Sequence, residues 1–176
     1  MDNYFRPFDQ LRVNELMVNR IGYFRPSYEL NDGQFIYAKL STAGWFKPTA
    51  ILETADNRWE LVPKGLFRRT LYINKSATEN IGSVKPEAWT RKISLGMNDG
   101  FQAHFTSKKV FSRTVYLNSD QYGDMFSIEP NLWKFKMPFR VTFNRDILKQ
   151  VPEIGMYMLI GIYMVLLRQQ QAAAAH

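Results

Sequence analysis

The stretch EIGMYMLIGIYMVLLR, residues 153–168, constrains the fold more than any other part of the sequence. Fourteen consecutive residues, 154–167, carry no charge. As a helix they extend about 21 Å at ~1.5 Å per residue, whereas a bilayer core takes about 20 apolar residues and shorter runs more often form buried helices. A helix apolar on every side must be surrounded on every side. Pro152 suits a first helical turn, and Glu153 stands where the helix dipole favours a carboxylate. The expectation is a central core helix over about residues 147–170. Arg168 and the following QQQAAAA carry it out of the far end of its container. The alternative is a tail anchor below a β-rich head.

The rest of the chain supplies the container. Thirteen Phe, nine Tyr and four Trp favour sheet. Asn31-Asp32-Gly33 and Asn98-Asp99-Gly100 each lie between apolar runs, where Asp-Gly supplies the positive φ of a tight hairpin. Their aspartates therefore read as turn residues, not catalytic carboxylates. Apolar runs near 27–30, 34–40, 49–54, 59–63, 69–74, 80–85, 91–97, 101–106, 113–117, 124–129, 133–137 and 139–143 predict twelve short strands. The fold class is thus mainly β: a closed antiparallel barrel of about twelve strands around a C-terminal hydrophobic helix. Closure removes exposed edges, and a barrel of that size is wide enough for a helix of ~10 Å diameter. Residues 27–176 form the barrel and its helix. Residues 1–26 form an N-terminal segment with a short helix over 9–18, in which Tyr4-Phe5-Arg6-Pro7 is echoed by Tyr23-Phe24-Arg25-Pro26.

The sequence repeats itself at an offset of 44. LFRRTLYINKSATENIGSVKPEAW (66–89) aligns without a gap on VFSRTVYLNSDQYGDMFSIEPNLW (110–133), with eight identities that include Asn74/Asn118 and Trp89/Trp133. Each copy reads as strand, turn, strand, closing at Pro86 or Pro130, where a residue without an amide hydrogen suits a strand end. Trp89 and Trp133 are expected in similar environments. A shorter echo, Gly-Trp-Phe-Lys-Pro-Thr at 44–49, matches Gly-Leu-Phe-Arg-Arg-Thr at 65–70.

Several chemistries lack their residues. There is no Cys, so thiolate metal sites, disulfides and Cys nucleophiles are excluded. His104 and His176 are the only histidines, too few for an imidazole metal site. Nucleophile-elbow, phosphate-loop and dinucleotide motifs are missing, and His104 reads as a hydrogen-bonded strand histidine. No enzyme and no cofactor are expected. The first twenty residues lack a secretory core, which points to the cytoplasm and makes Asn74-Lys75-Ser76 a chance glycosylation match.

The formal charge is +7, enough to steer the protein toward an anionic partner. Residues 64–92 carry seven Lys or Arg against Glu79 and Glu87. Arg68, Arg69, Arg91, Lys92, Lys108, Lys109 and Arg113 are the candidate anion- or headgroup-binding residues. Strand alternation places Arg69 with Leu71 and Ile73, so Arg69 and Arg113 enter near a barrel rim if the aliphatic side faces inward. Charge alone does not make nucleic acid an expected partner, because no recognised module accompanies it.

The paired FRRTLYIN…SVKPEAW and FSRTVYLN…SIEPNLW units, with the closing IGMYMLIGIYMVLLR helix, resemble the tubby C-terminal-like superfamily. That superfamily includes tubby-like proteins, phospholipid scramblases and the plant LURP-one-related proteins, and the likeness is nearest its small bacterial members. It covers roughly residues 27–170 and is architectural, so it implies fold more than function. It implies a lipid-headgroup role, although no calcium-binding pattern of scramblase type is present. The expected function is non-enzymatic binding of an anionic membrane surface or a protein partner, peripheral at the membrane and without a transmembrane span. The alternative is a small-ligand carrier or enzyme with a pocket at a barrel mouth.

Overall fold

The computed structural model describes residues 4–44, 49–64, 70–87, 92–107, 113–131 and 134–174. Twelve antiparallel strands close into one barrel: β1 (Glu15–Ile21), β2 (Ser27–Asn31), β3 (Ile36–Ala43), β4 (Thr49–Thr54), β5 (Arg58–Lys64), β6 (Thr70–Asn74), β7 (Asn80–Pro86), β8 (Ile93–Met97), β9 (Gln102–Thr106), β10 (Val115–Ser119), β11 (Gly123–Pro130) and β12 (Phe139–Phe143). Each strand pairs with its neighbours in sequence, and β1 pairs with β12 to shut the ring. A short helix, α1 (Asp146–Gln150), leads into the long helix α2 (Ile154–Ala174).

Strand alternation fills the interior. Leu16 and Val18 of β1, Leu71 and Ile73 of β6, Val115 and Leu117 of β10 and Val141 of β12 are buried, while the residues between them are not. Residues 154–163 of α2 are buried without a break, and Leu159 and Ile160 have no exposed surface. Fully burying such a side chain contributes about 1.5–3 kcal/mol, so helix and barrel wall each supply what the other requires. Among the described residues no helix is long and apolar enough to cross a membrane.

The helix lies nearer one wall, and side-chain size explains why. Its main neighbours are β3 and β4, with β10 and β11 across the barrel. Ala38 of β3 and Ala50 of β4 are small, inward and fully buried. On the other side, a Cβ on Gly161 would come within 2.6 Å of Ile128 and 2.9 Å of Phe105. Bulky wall therefore meets glycine on that side.

The repeat is threefold. The two hairpins foreseen at an offset of 44, β6–β7 and β10–β11, share their register: Leu71 faces Val84 as Val115 faces Ile128, and both shift register before Asn74 or Asn118. The shifted asparagines are tied alike, Asn80 Nδ2 donating to Asn74 Oδ1 at 3.0 Å and Asn118 Nδ2 donating to Asp124 Oδ1 at 2.8 Å. β2–β3 makes the same shift before Asn31, a third copy forty-three residues earlier than Asn74. The equivalent inward positions hold Ala38, Gly82 and Phe126, so the copies share backbone and differ in bulk.

Two expectations need correction. Residues 9–18 are not a helix: Phe8–Gln10 form one 3-10 turn and Glu15–Ile21 is the strand that closes the barrel. The N-terminal segment is thus part of the barrel, because Leu16 and Val18 point inward while Met17 does not. The run at 133–137 is no strand either, since residues 134–137 lie in a turn with Met137 N donating to Lys134 O at 3.0 Å. Trp89 and Trp133 lie outside the described residues.

Phe8 covers the barrel end where α2 begins. A Cβ on Gly155 would sit 2.4 Å from the Phe8 ring, which also tilts against Tyr37 with centroids 5.8 Å apart. Asp32 and Asp99 act as foreseen, Asp32 Oδ1 accepting from Gln34 N and Phe35 N and Asp99 Oδ1 from Phe101 N. Gly33 and Gly100 follow at φ +93° and +97°.

Candidate functional site

In an up-and-down barrel alternate connections meet at the same end, so strand order sorts the loops into two sets. One end carries the five hairpin connections 32–35, 55–57, 75–79, 98–101 and 120–122, together with the start of α2. In sequence these connections hold five acids and one Lys, Lys75. The other end carries the connections 22–26, 44–48, 65–69, 87–92, 107–114 and 131–138, which hold eleven Lys or Arg and a single acid, Glu87. Among the described residues of these connections, five cations and Glu87 stand at this end against five acids and Lys75 at the other.

Of the basic-end cations, Arg25, Lys92, Arg113, Lys134 and Lys136 are described, and all five are exposed. Lys64 and Lys85, on strands reaching the same rim, are exposed too, and Lys64 Nζ stands 4.6 Å from the centre of the Tyr72 ring. Glu87 is engaged on the barrel wall: Ser94 Oγ donates to its carboxylate, and His104 Nδ1 lies 3.2 Å from the same oxygen. Ser94 Oγ also lies 3.3 Å from His104 Nδ1, so serine and carboxylate meet the same ring nitrogen, whereas a relay needs them on opposite nitrogens of the ring.

Helix α2 emerges at this end. Arg113 and Arg168 line a cavity of about 450 Å³ with Val115, Pro130, Val165 and Gln169. Burial lowers the Arg168 pKa from its ordinary value, which marks a guanidinium placed in partly apolar surroundings.

Two connections beside β1 shape the rim. Gly22, at φ +83°, opens a turn that carries Tyr23, Phe24 and Arg25 outward. On the other side of β1, Asn131 N donates to Pro138 O at 2.7 Å and Arg20 N to Lys136 O at 2.9 Å, which holds the Lys134-Phe135-Lys136 turn. The Arg20 guanidinium sits 4.4 Å from the centre of the Phe135 ring, within cation–π reach.

The acid-rich end has different chemistry. Asp99, Tyr122, Glu153 and Tyr157 line a cavity of about 550 Å³. Burial raises the Glu153 pKa, Lys75 opposing and Asp99 adding to the rise, and burial likewise raises Tyr157. A second cavity of about 740 Å³ includes Arg6, Asp9, Arg12, Asp32 and Tyr37. There burial and the hydrogen bond to Asp32 push Tyr37 up to about 12. Among the described residues no three His, Asp or Glu side chains gather as a metal site.

Of the residues picked from sequence, Lys92 and Arg113 belong to the basic end, Arg113 beside Arg168 at the helix exit. Arg68, Arg69, Arg91, Lys108 and Lys109 lie outside the described residues. Sequence reasoning missed Arg20, Tyr23, Phe24, Arg25, Lys134, Phe135 and Lys136. For Tyr23, Phe24 and Arg25 the signal was present: Gly22-Tyr-Phe-Arg-Pro26, Gly44-Trp-Phe-Lys-Pro48 and Gly65-Leu-Phe-Arg-Arg69 recur at spacings of 22 and 21. No family model, curated protein or solved structure matches the chain.

Proposed function

We propose that this chain is a non-enzymatic binding protein that engages an anionic surface through the basic end of its barrel. The observation that carries the reading is the division of charge between the two sets of connections, eleven cations and one acid against five acids and one cation. Cations scattered for solubility would fall on both ends alike. Gathered at one end, they create a field that orients the molecule toward an anionic partner before contact. The resemblance to the tubby-like superfamily supports the same reading.

Sedimentation with phosphatidylcholine vesicles, with and without phosphatidylserine, tests it. Binding is expected only with the anionic lipid and falls as salt shortens the screening length. Each basic residue near such a surface contributes about 1 kcal/mol, so Lys134→Gln with Lys136→Gln should weaken binding roughly 30-fold. Equal binding to both vesicle types, or none to either at low salt, refutes the proposal.

A further inference from the structure

Charge explains attraction to an anionic surface but leaves the aromatic residues of the same end without a role. Phe24 is fully exposed at 102%, Tyr23 at 79%, Phe135 at 67% and Ile21 at 48%. The other large exposed apolar residues among those described are Tyr4, Val13 and Phe35, and the two aromatics are engaged: Tyr4 OH donates to Glu29 and the Arg6 guanidinium covers Phe35 at 3.6 Å. The exposed apolar surface is thus concentrated on the two connections that flank β1, each with its own cations.

We infer that the barrel docks end-on against an anionic bilayer, with Phe24 and Phe135 entering the layer between headgroups and acyl chains and Arg25, Lys134 and Lys136 meeting the lipid phosphates. This inference rests on the reading of the basic end as an anion-binding surface and names that surface. Aromatic rings and flanking cations are the pair suited to the membrane interface, where one group needs an apolar setting and the other a wet, anionic one. The Phe135 turn is held in place by Arg20, through the cation–π contact and the bond to Lys136 O, so insertion costs little ordering of that turn. The sequences of the other four connections at this end repeat the pairing, as Trp45-Phe46-Lys47, Phe67-Arg68-Arg69, Trp89 with Arg91, and Phe111 with Arg113. None of the opposite connections holds both an aromatic and a cation in its own sequence, although Arg6 of the N-terminal segment covers Phe35 there. A flat partner can meet both connections beside β1 at once, which favours a bilayer over the irregular face of a protein.

The chain contains no cysteine, so Phe24→Cys and, as the opposite-end control, Asp56→Cys give singly labelled full-length proteins. A solvatochromic dye at position 24 should shift to the blue on adding phosphatidylserine-containing vesicles, and the dye at position 56 should not. Phe24→Ala with Phe135→Ala should lower vesicle affinity roughly 30-fold while the fold stays cooperative. Its melting temperature should fall by no more than in Phe135→Ala alone, which loses the Arg20 contact. Binding that persists with an unshifted dye at position 24 and unaltered affinity of the double variant overturns end-on insertion and leaves the anionic-surface reading standing. A shift at position 56 instead of position 24 reverses the docking and overturns the inference. No binding to the anionic vesicles removes both.

Discussion

Glu153 is the one described residue other than glycine at positive φ, +59°, and it sits where α1 turns into α2. Its carbonyl oxygen accepts Met156 N at 2.8 Å and Tyr157 N at 3.4 Å, so the strained residue starts the central helix. A side chain in left-handed backbone costs roughly 1–2 kcal/mol, part of which glycine returns as chain entropy. Glu153→Gly should therefore raise stability by about 1 kcal/mol in urea unfolding. Charge contributes separately. The folded carboxyl pKa is raised by burial, so the folded state holds its proton more tightly than the unfolded state does. The stability from that proton is present below the ordinary carboxylate pKa and is lost as pH rises through the folded value. Glu153→Gln should accordingly stabilise at neutral pH and give no gain in acid, whereas the Glu153→Gly gain persists in acid because strain does not titrate. Both variants lack the carboxyl, so their stability profiles should run parallel in pH, with Glu153→Gly above Glu153→Gln by the released strain. Coincident profiles would contradict this separation.

Among the elements, β1 shows why some of the barrel was hidden in the sequence. Leu16, Met17 and Val18 are three apolar residues in a row, which blurs an alternation of period two, yet only Leu16 and Val18 are buried. Met17 lies on the outer face, where its Cε comes within 3.4 Å of a Cβ built on Gly33. The opposite error arises at 133–137, where Trp-Lys-Phe-Lys-Met alternates as a half-buried strand would. There the alternation belongs to a rim loop with Phe135 exposed, and period alone cannot distinguish a barrel wall from an interfacial turn. The eleven remaining strands were legible because their alternation coincides with turn residues at both ends. Since β1 hydrogen-bonds both β12 and β2, deleting residues 1–21 should open the ring and expose two edges. The expected outcome is aggregation on expression, read by size-exclusion chromatography. A monomeric, cooperatively unfolding product would show that eleven strands close without β1.

At the scale of the molecule, the polarity of the barrel was latent in the sequence. Once the strands are known to run up and down, every second connection shares an end, and summing charge over alternate loops reveals the basic and acid-rich ends without coordinates. A window along the chain, such as 64–92, mixes both ends and dilutes the signal, because Lys75 and Glu79 belong to the opposite rim from Lys64 and Lys92. The aromatic half of the candidate site was obscured for another reason: Phe and Tyr read as core wherever their exposure is unknown.

The central helix was legible because an all-round apolar segment of fourteen uncharged residues suits a buried helix better than a tail anchor, and its burial makes the whole fold depend on it. Ending the chain before Pro152 removes the helix packed against β3, β4, β10 and β11 and leaves the inner faces of twelve strands without a partner. Such a chain should aggregate instead of surviving as a β-rich head. Leu159→Asp tests the same dependence with one side chain. Leu159 has no exposed surface, and an unpaired carboxylate in such a place costs several kcal/mol, a large share of the about 5–15 kcal/mol that holds a domain together. Because the carboxylate is neutralised more cheaply than it is buried, its pKa should rise. Any folded population of the variant should then grow as pH falls toward the ordinary carboxylate range, until acid destabilises the parent protein too. Far-ultraviolet circular dichroism across that pH range checks it, and a variant folded equally at neutral and mildly acidic pH would mean that Leu159 faces water, not the barrel wall.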